Sequence, residues 1–272
     1  MDRFRNNIIS IHKEQGKSWL KQLPKIVEEI SNEWNLSKLA PIDNLSFNYV
    51  LSGYQNNKPI ILKLSFAAKD LTNEVKALKA FAGFGAASIL AQKDNALLLE
   101  QALPGTSLKS YLSNNKISIA CKVMDKLHQA PALTTHNFLN IKDQLKALDK
   151  QWSLPNTYLQ KARRLRDKLL QSTGPQILLH GDLHHENILQ NGEQWVVIDP
   201  KGVIGYPINE VWTFAMNTEE DIVFAANYFG FNLQEVRSWY FVQLILAICW
   251  NLEDGIENKL FLRLADKAYG LV

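Results

Sequence analysis

His180-Gly181-Asp182-Leu183-His184-His185-Glu186-Asn187 packs six hydrogen-bonding or charged side chains into eight positions. The apolar run Ile177-Leu178-Leu179 precedes it. Asn187 to Gln190, the turn Asn191-Gly192 and Trp195 to Ile198 follow as the strongest hairpin signal in the chain. The stretch is therefore a loop between strands, and the hairpin returns Asp199 close to Asn187. Two carboxylates and an amide converge. Such a hard oxygen set suits Mg²⁺, which takes few protein ligands and fills its shell with water and phosphate oxygens. One carboxylate is then left to accept a substrate proton. His180 and His184 stand four apart, but a loop lacks the shared helical face that a zinc pair needs at that spacing. His180 is read as holding the backbone of the loop.

Working outward, the chain changes secondary-structure type near residue 100. Pro24 suits a first helical turn, and Ile26, Val27, Ile30 and Trp34 recur at helical spacing after it. Ser46 to Phe66 is extended and broken at Asn56-Asn57, which predicts a hairpin. Leu71, Val75, Leu78 and Ala82 mark one face of a helix, and Ser88 to Gln92 and Ala96 to Glu100 flank the turn Asp94-Asn95. After Pro104-Gly105 the pattern is mainly helical: Ala120, Val123 and Leu127 share a face, and Tyr158 to Leu170 is rich in Lys, Arg and Leu. Asn232 with Glu235 three residues later opens an apolar helix ending near Trp250. These elements predict an α+β chain with a sheet-bearing N-lobe, residues 1–102, and a larger helical C-lobe, residues 103–272. The twelve-residue apolar run Trp239 to Trp250 is shorter than the roughly 20 residues of a membrane span, so it reads as a core helix. No signal peptide is evident at the N-terminus, and Cys121 and Cys249 suggest neither a disulfide framework nor a zinc site. The expected compartment is the cytoplasm.

The spacing His-x-Asp-Leu-x-x-x-Asn, with Asp199 after it, resembles the catalytic loop of eukaryotic-like kinases. Its variant His-Gly-Asp-Leu-His-x-Glu-Asn, with Asp199-Pro200-Lys201, is similar to the aminoglycoside phosphotransferase family and its streptomycin 6-kinase and hydroxyurea kinase branch. Gly16-x-x-Trp19-Leu20-x-x-Leu23-Pro24, Leu98-Leu99-Glu100 with Pro104-Gly105-Thr106-Ser107-Leu108, and Cys249-Trp250-x-Leu252-Glu253-Asp254-Gly255 resemble that branch in the same order. The resemblance implies a bilobal protein-kinase-like fold and γ-phosphoryl transfer from ATP or GTP with Mg²⁺. It makes Asp182 the candidate base, and Asn187 and Asp199 the candidate metal ligands. It further implies a Lys on a small-lobe strand paired with a Glu on the next helix, which Lys63 and Glu74 fit. Lys63 would then hold the α- and β-phosphates, with Glu100 and Ala102 offering backbone groups to the base. Two departures stand out. Asn44 to Val50 occupies the place of the phosphate loop without a glycine, so that contact has no residue assigned. Gly205-Tyr206-Pro207 and Glu210 replace the family's Gly-Asp-Pro and later Asp.

The 30 Lys and Arg nearly cancel the 27 Asp and Glu, which gives no reason to expect a nucleic-acid or membrane partner. The cancellation hides a separation: from Pro207 to Val272 nine acids face four bases. An acidic region suits a small cationic acceptor, and Glu210, Glu253 and Asp254 are the candidate contacts because they lie in family-like segments. The expected activity is phosphorylation of a hydroxyl on an aminoglycoside such as streptomycin, conferring antibiotic resistance. The alternatives are a housekeeping kinase of a sugar, a choline-like amine or a hydroxyurea-type molecule, and a nucleotide-binding protein without turnover.

Overall fold

The computed structural model describes residues 2–43, 45–131, 138–171, 174–215, 218–253, 255 and 259–272. The chain folds into two compact units, Met1–Gly105 with Gln190–Val196, and Thr106–Leu189 with Val197–Val272.

The first unit is built on a five-stranded antiparallel sheet of order β1-β2-β3-β5-β4, from β1 (Leu36–Pro41), β2 (Tyr49–Gln55), β3 (Lys58–Leu64), β4 (Ile89–Lys93) and β5 (Ala96–Glu100). Asn56 and Asn57 turn between β2 and β3 at positive φ (50° and 63°), which Asn tolerates better than most residues. Each face of the sheet packs against its own helix. Ile60, Leu62, Leu64 and Leu98 pack with Phe4, Ile8, Trp19 and Leu23 of α1 (Asp2–Trp34). The alternate residues Ile61, Leu97 and Leu99 pack with Leu71, Val75 and Leu78 of α2 (Ala68–Ala80). Period-two alternation therefore sends Lys63 to the α2 side.

Helix α1 begins well before the expected start at Pro24, which lies inside it. Lys13 has φ 50° and ψ −128°, which interrupts the helix and leaves two segments, residues 2–12 and 14–34. The first doubles back on the second. A Cβ on Gly16 would sit 2.6 Å from the carbonyl oxygen of Ile8, although residues eight apart in one straight helix are about 12 Å apart along the axis. The rings of Phe4 and Trp19 meet edge to face at 6.1 Å.

In the second unit the principal helices are α3 (Lys116–His128), α5 (Asn156–Leu169), α7 (Glu219–Phe229), α8 (Leu233–Glu253) and α9 (Lys259–Tyr269), with shorter α4 (Ile141–Leu145) and α6 (Val211–Phe214). Helix α8 is buried on every side from Trp239 to Cys249, which accounts for its lack of a polar face. The expected cap is present: Asn232 Oδ1 accepts from the N–H of Glu235 at 3.1 Å. Burial pushes the thiols of both Cys121 and Cys249 up to about 12. A small sheet of order β7-β11-β8 joins β7 (Leu139–Asn140), β11 (Val203–Gly205) and β8 (Ile177–Leu179). Outside that sheet, the short strands β6 (Pro104–Ser107), β9 (Ile188–Asn191) and β10 (Gln194–Val197) pair in the order β10-β9-β6. Among the described residues, no helix is long and apolar enough to cross a membrane.

Candidate active site

The loop 180–187 leaves the end of β8 and enters β9, as its flanking apolar runs require. Three sets of hydrogen bonds fix its shape. The carbonyl of His180 accepts from the N–H groups of Lys201 and Gly202 at 2.8 and 3.1 Å, continuing the antiparallel β8–β11 pairing in which Val203 faces Leu179. Asn187 Nδ2 donates to the carbonyl of Asp182 at 2.9 Å, and the Asn187 N–H donates to the carbonyl of His184 at 2.8 Å. Glu210, only 1% exposed, accepts from the N–H of His180 at 2.6 Å and of Gly181 at 2.9 Å, one carboxylate oxygen to each.

His180 is fully buried and has a defined tautomer. Its Nδ1 faces the N–H of Asp182 at 3.2 Å and must accept, so Nε2 carries the proton and donates to the carbonyl of Ile198 at 3.0 Å. Burial lowers its pKa, against the raising influence of Glu210, Asp182 and Asp199, and keeps the ring neutral. The imidazole thus ties the loop to the strand end that carries Asp199. Gly181 cannot be replaced cheaply: its φ is 82°, and a Cβ would lie 2.8 Å from Cγ2 of Val203.

These bonds set the position of Asp182, whose side chain is 38% exposed and stands 3.7 Å from His184 Nε2. The N–H of Ile198 donates to the carbonyl of Asn187 at 3.0 Å, so the backbones of Asn187 and Asp199 are brought together across the hairpin as its spacing implied. Asp199 has φ 59°, an uncommon left-handed conformation of the kind that collects at functional positions. The donor set fits a magnesium ion. Because Nδ2 of Asn187 faces a carbonyl, the other end of that amide must be the oxygen, which with the carboxylate of Asp199 would supply two hard ligands to such an ion. Among the described residues, no three His, Cys, Asp or Glu side chains are grouped as a metal site.

In the other unit, Lys63 Nζ meets Glu74 Oε2 at 2.7 Å. Both are buried, at 4% and 7% exposure, on the face shared by β3 and α2. Glu100 and Ala102 line a cavity of about 500 Å³ together with Lys58, Pro59, Ser88 and Asn191.

The three acids proposed for the acceptor fare differently. Glu253 is half exposed and bridges Lys150 at 2.8 Å, and Asp254 lies outside the described residues. Glu210 does not fit an acceptor contact. Its carboxylate is closed off from solvent and engaged by the loop's backbone, so it acts as the loop's anchor. Sequence reasoning missed that role, and also His128, whose Nε2 lies 3.7 Å from Glu210. Glu210 follows His180 by thirty residues with no local pattern joining them. The only available signal was an acid in a segment otherwise full of apolar residues, which buries it.

The chain is 21% identical over 271 aligned residues to the streptomycin 6-kinase of Streptomyces glaucescens, covering 89% of this chain and 87% of the relative. Among solved structures, a choline kinase from Streptococcus pneumoniae superposes with a TM-score of 0.71 at 14% identity, covering 92% of this chain and 98% of that one. An aminoglycoside phosphotransferase in complex with ADP and hygromycin B superposes with a TM-score of 0.65 at 14% identity, covering 90% and 95%. These two similarities establish the α+β, protein-kinase-like fold expected from the sequence. Residues 34–227 match the aminoglycoside/hydroxyurea antibiotic resistance kinases, and the chain belongs to that family.

Proposed function

We propose that this kinase transfers the γ-phosphoryl of ATP or GTP to a hydroxyl of an aminoglycoside such as streptomycin, in the cytoplasm, and so confers resistance to it. The observation that carries the reading is the loop 180–187, where the accessible carboxylate of Asp182 sits on a backbone tied down by His180, Glu210 and the amide of Asn187. In this reading residues 1–102 handle the nucleotide and residues 103–272 the acceptor. Lys63, oriented by Glu74, holds the α- and β-phosphates, and backbone groups at Glu100 and Ala102 hold the base. Magnesium on Asn187 and Asp199 would neutralise phosphate charge when bound. Asp182 aligns the acceptor hydroxyl and takes its proton as the new P–O bond forms, a contribution of about 10²- to 10⁴-fold. Glu253 and Asp254 contact the cationic acceptor.

The experiment is ADP release across a panel of aminoglycosides, other cationic antibiotics, choline and hydroxyurea, with the product position read by NMR. Asp182→Asn should lose turnover while its ADP affinity stays near that of the wild type. Retention of more than about a tenth of the rate would remove Asp182 as the base. Turnover of choline or hydroxyurea, with none of any aminoglycoside, would replace the proposed acceptor.

A further inference from the structure

The loop between β1 and β2 contains no glycine and leads into β2, whose Val50 pairs with Lys63, so it adjoins the strand that carries the lysine proposed to hold phosphate. Glycine-rich loops fit themselves to phosphate by backbone freedom. A loop without glycine must instead be held in a receptive shape, and the structure contains a device that does this. The folded-back segment 2–12 of α1 lies against residues 45–49. Asn7 Nδ2 donates to the carbonyl of Ser46 at 3.0 Å. The ring of Phe4 stacks on Tyr49 at 5.6 Å, with an interplanar angle of 26°. Leu45, 4% exposed, is buried in the same cluster as Phe4 and Ile8. His12 stacks on Phe66 at 3.9 Å, which fixes the far end of the segment just beyond β3.

A trans peptide is planar, with its C=O and N–H pointing in opposite directions. Asn7 draws the Ser46 carbonyl towards the helical segment, so the N–H of Phe47 in the same peptide points away from it. Among the described residues that N–H has no hydrogen-bond partner, and Phe47 is 52% exposed. We propose that residues 2–12 brace the β1–β2 loop and that Asn7 is a positioning residue for nucleotide binding, orienting the Phe47 N–H to donate to a phosphate oxygen. This rests on the kinase reading and adds to it an element that lies before the family-matched residues 34–227.

The test is calorimetric binding of ADP and of adenosine to the full chain and to two variants. Asn7→Asp keeps the shape but turns an acceptor towards the Ser46 carbonyl, while Asn7→Ser is a milder truncation in case the first folds poorly. The expected result is ADP binding weakened roughly threefold to tenfold, about one hydrogen bond, in whichever variant keeps a melting temperature near that of the wild type. Adenosine, which has no phosphate, should bind unchanged. A purely structural role would weaken both ligands alike and lower the melting temperature. Equal losses for ADP and adenosine, or unchanged ADP affinity in a folded variant, would overturn the proposal while leaving the kinase reading intact. A wild-type chain that binds no nucleotide would overturn both.

Discussion

Replacing Glu210 by Gln separates two roles that a sequence cannot distinguish. In the structure both carboxylate oxygens accept backbone N–H groups of the loop, at 2.6 and 2.9 Å, in a site 1% exposed. A hydrogen bond to a charged group contributes about 1.5–3 kcal/mol. Gln keeps one oxygen as a weaker, uncharged acceptor and turns an NH₂ towards the second N–H, so the loss should be about 2–4 kcal/mol. For a chain of this size that corresponds to a melting temperature lower by roughly 5–15 °C. The activity should fall further than stability explains, because the freed N–H groups belong to His180 and Gly181, immediately before Asp182. A misplacement of about 1 Å can cost on the order of 10²-fold, so kcat should drop by about tenfold to a hundredfold at a temperature where the variant is fully folded. Calorimetry and steady-state kinetics on the same preparation decide the matter. A Gln variant that kept the wild-type melting temperature and kcat, with only its acceptor KM raised, would refute this reasoning and restore Glu210 as an acceptor contact.

Two further outcomes are expected. Burial lowers the pKa of His180, and that of His185, where the charges of Lys116 and His184 add to it. Above the ordinary value near 6.5 both the folded and unfolded chains hold these rings neutral. Below it the unfolded chain gains protons that the folded one refuses, so stability should fall by up to about 1.4 kcal/mol per pH unit for each ring. Urea midpoints that stay level from pH 7.5 to 5.5 would contradict this. Lys150→Ala removes the cation 2.8 Å from Glu253; if Glu253 meets a cationic acceptor, the variant's acceptor KM should fall by about twofold to fivefold with the nucleotide KM unchanged.

The parts of the fold legible in the sequence were those fixed by local pattern. Extended runs broken at Asn56-Asn57 and Asp94-Asn95 placed β2, β3, β4 and β5, and the 3.6-residue stripe Leu71/Val75/Leu78 placed α2, because these signals are local to each element. The Lys63–Glu74 ion pair could be anticipated for the same reason, as the flank of a helical stripe turns a side chain towards the sheet. Strand β1 was not legible. Its burial pattern is mostly intermediate and exposed, it carries Lys38 at φ 53°, and its register with β2 shifts between Ser37 and Ala40, so no clean period is written in it. The doubling back at Lys13 was equally hidden, since residues on both sides of it have ordinary helical composition and a single positive-φ lysine leaves no pattern. At the loop 180–187, the approach of Asn187 to the strand end that carries Asp199 could be read because a hairpin joins them. Glu210 was misjudged because its partners are backbone N–H groups, which no sequence pattern marks.

Burial also changes the meaning of the acidic C-terminal region. Of its nine acids, Glu210 holds the loop, Glu219 pairs with Arg237 at 2.5 Å, Asp266 accepts from the hydroxyl of Tyr158, and Glu253 bridges Lys150. These engagements are not equivalent. Glu210 cannot exchange its partners for a ligand, because stranding two buried N–H groups costs about 1–3 kcal/mol each. The Glu253–Lys150 pair has both side chains about half exposed, and pairs of that kind contribute only about 0–1 kcal/mol. An incoming ammonium or guanidinium group can therefore displace Lys150 at little cost while gaining the same carboxylate. The excess of negative charge is thus not a uniform wall. If the acceptor is a cation, its recognition would fall to acids whose present partners are easily exchanged, and Glu253 meets that condition where Glu210 does not.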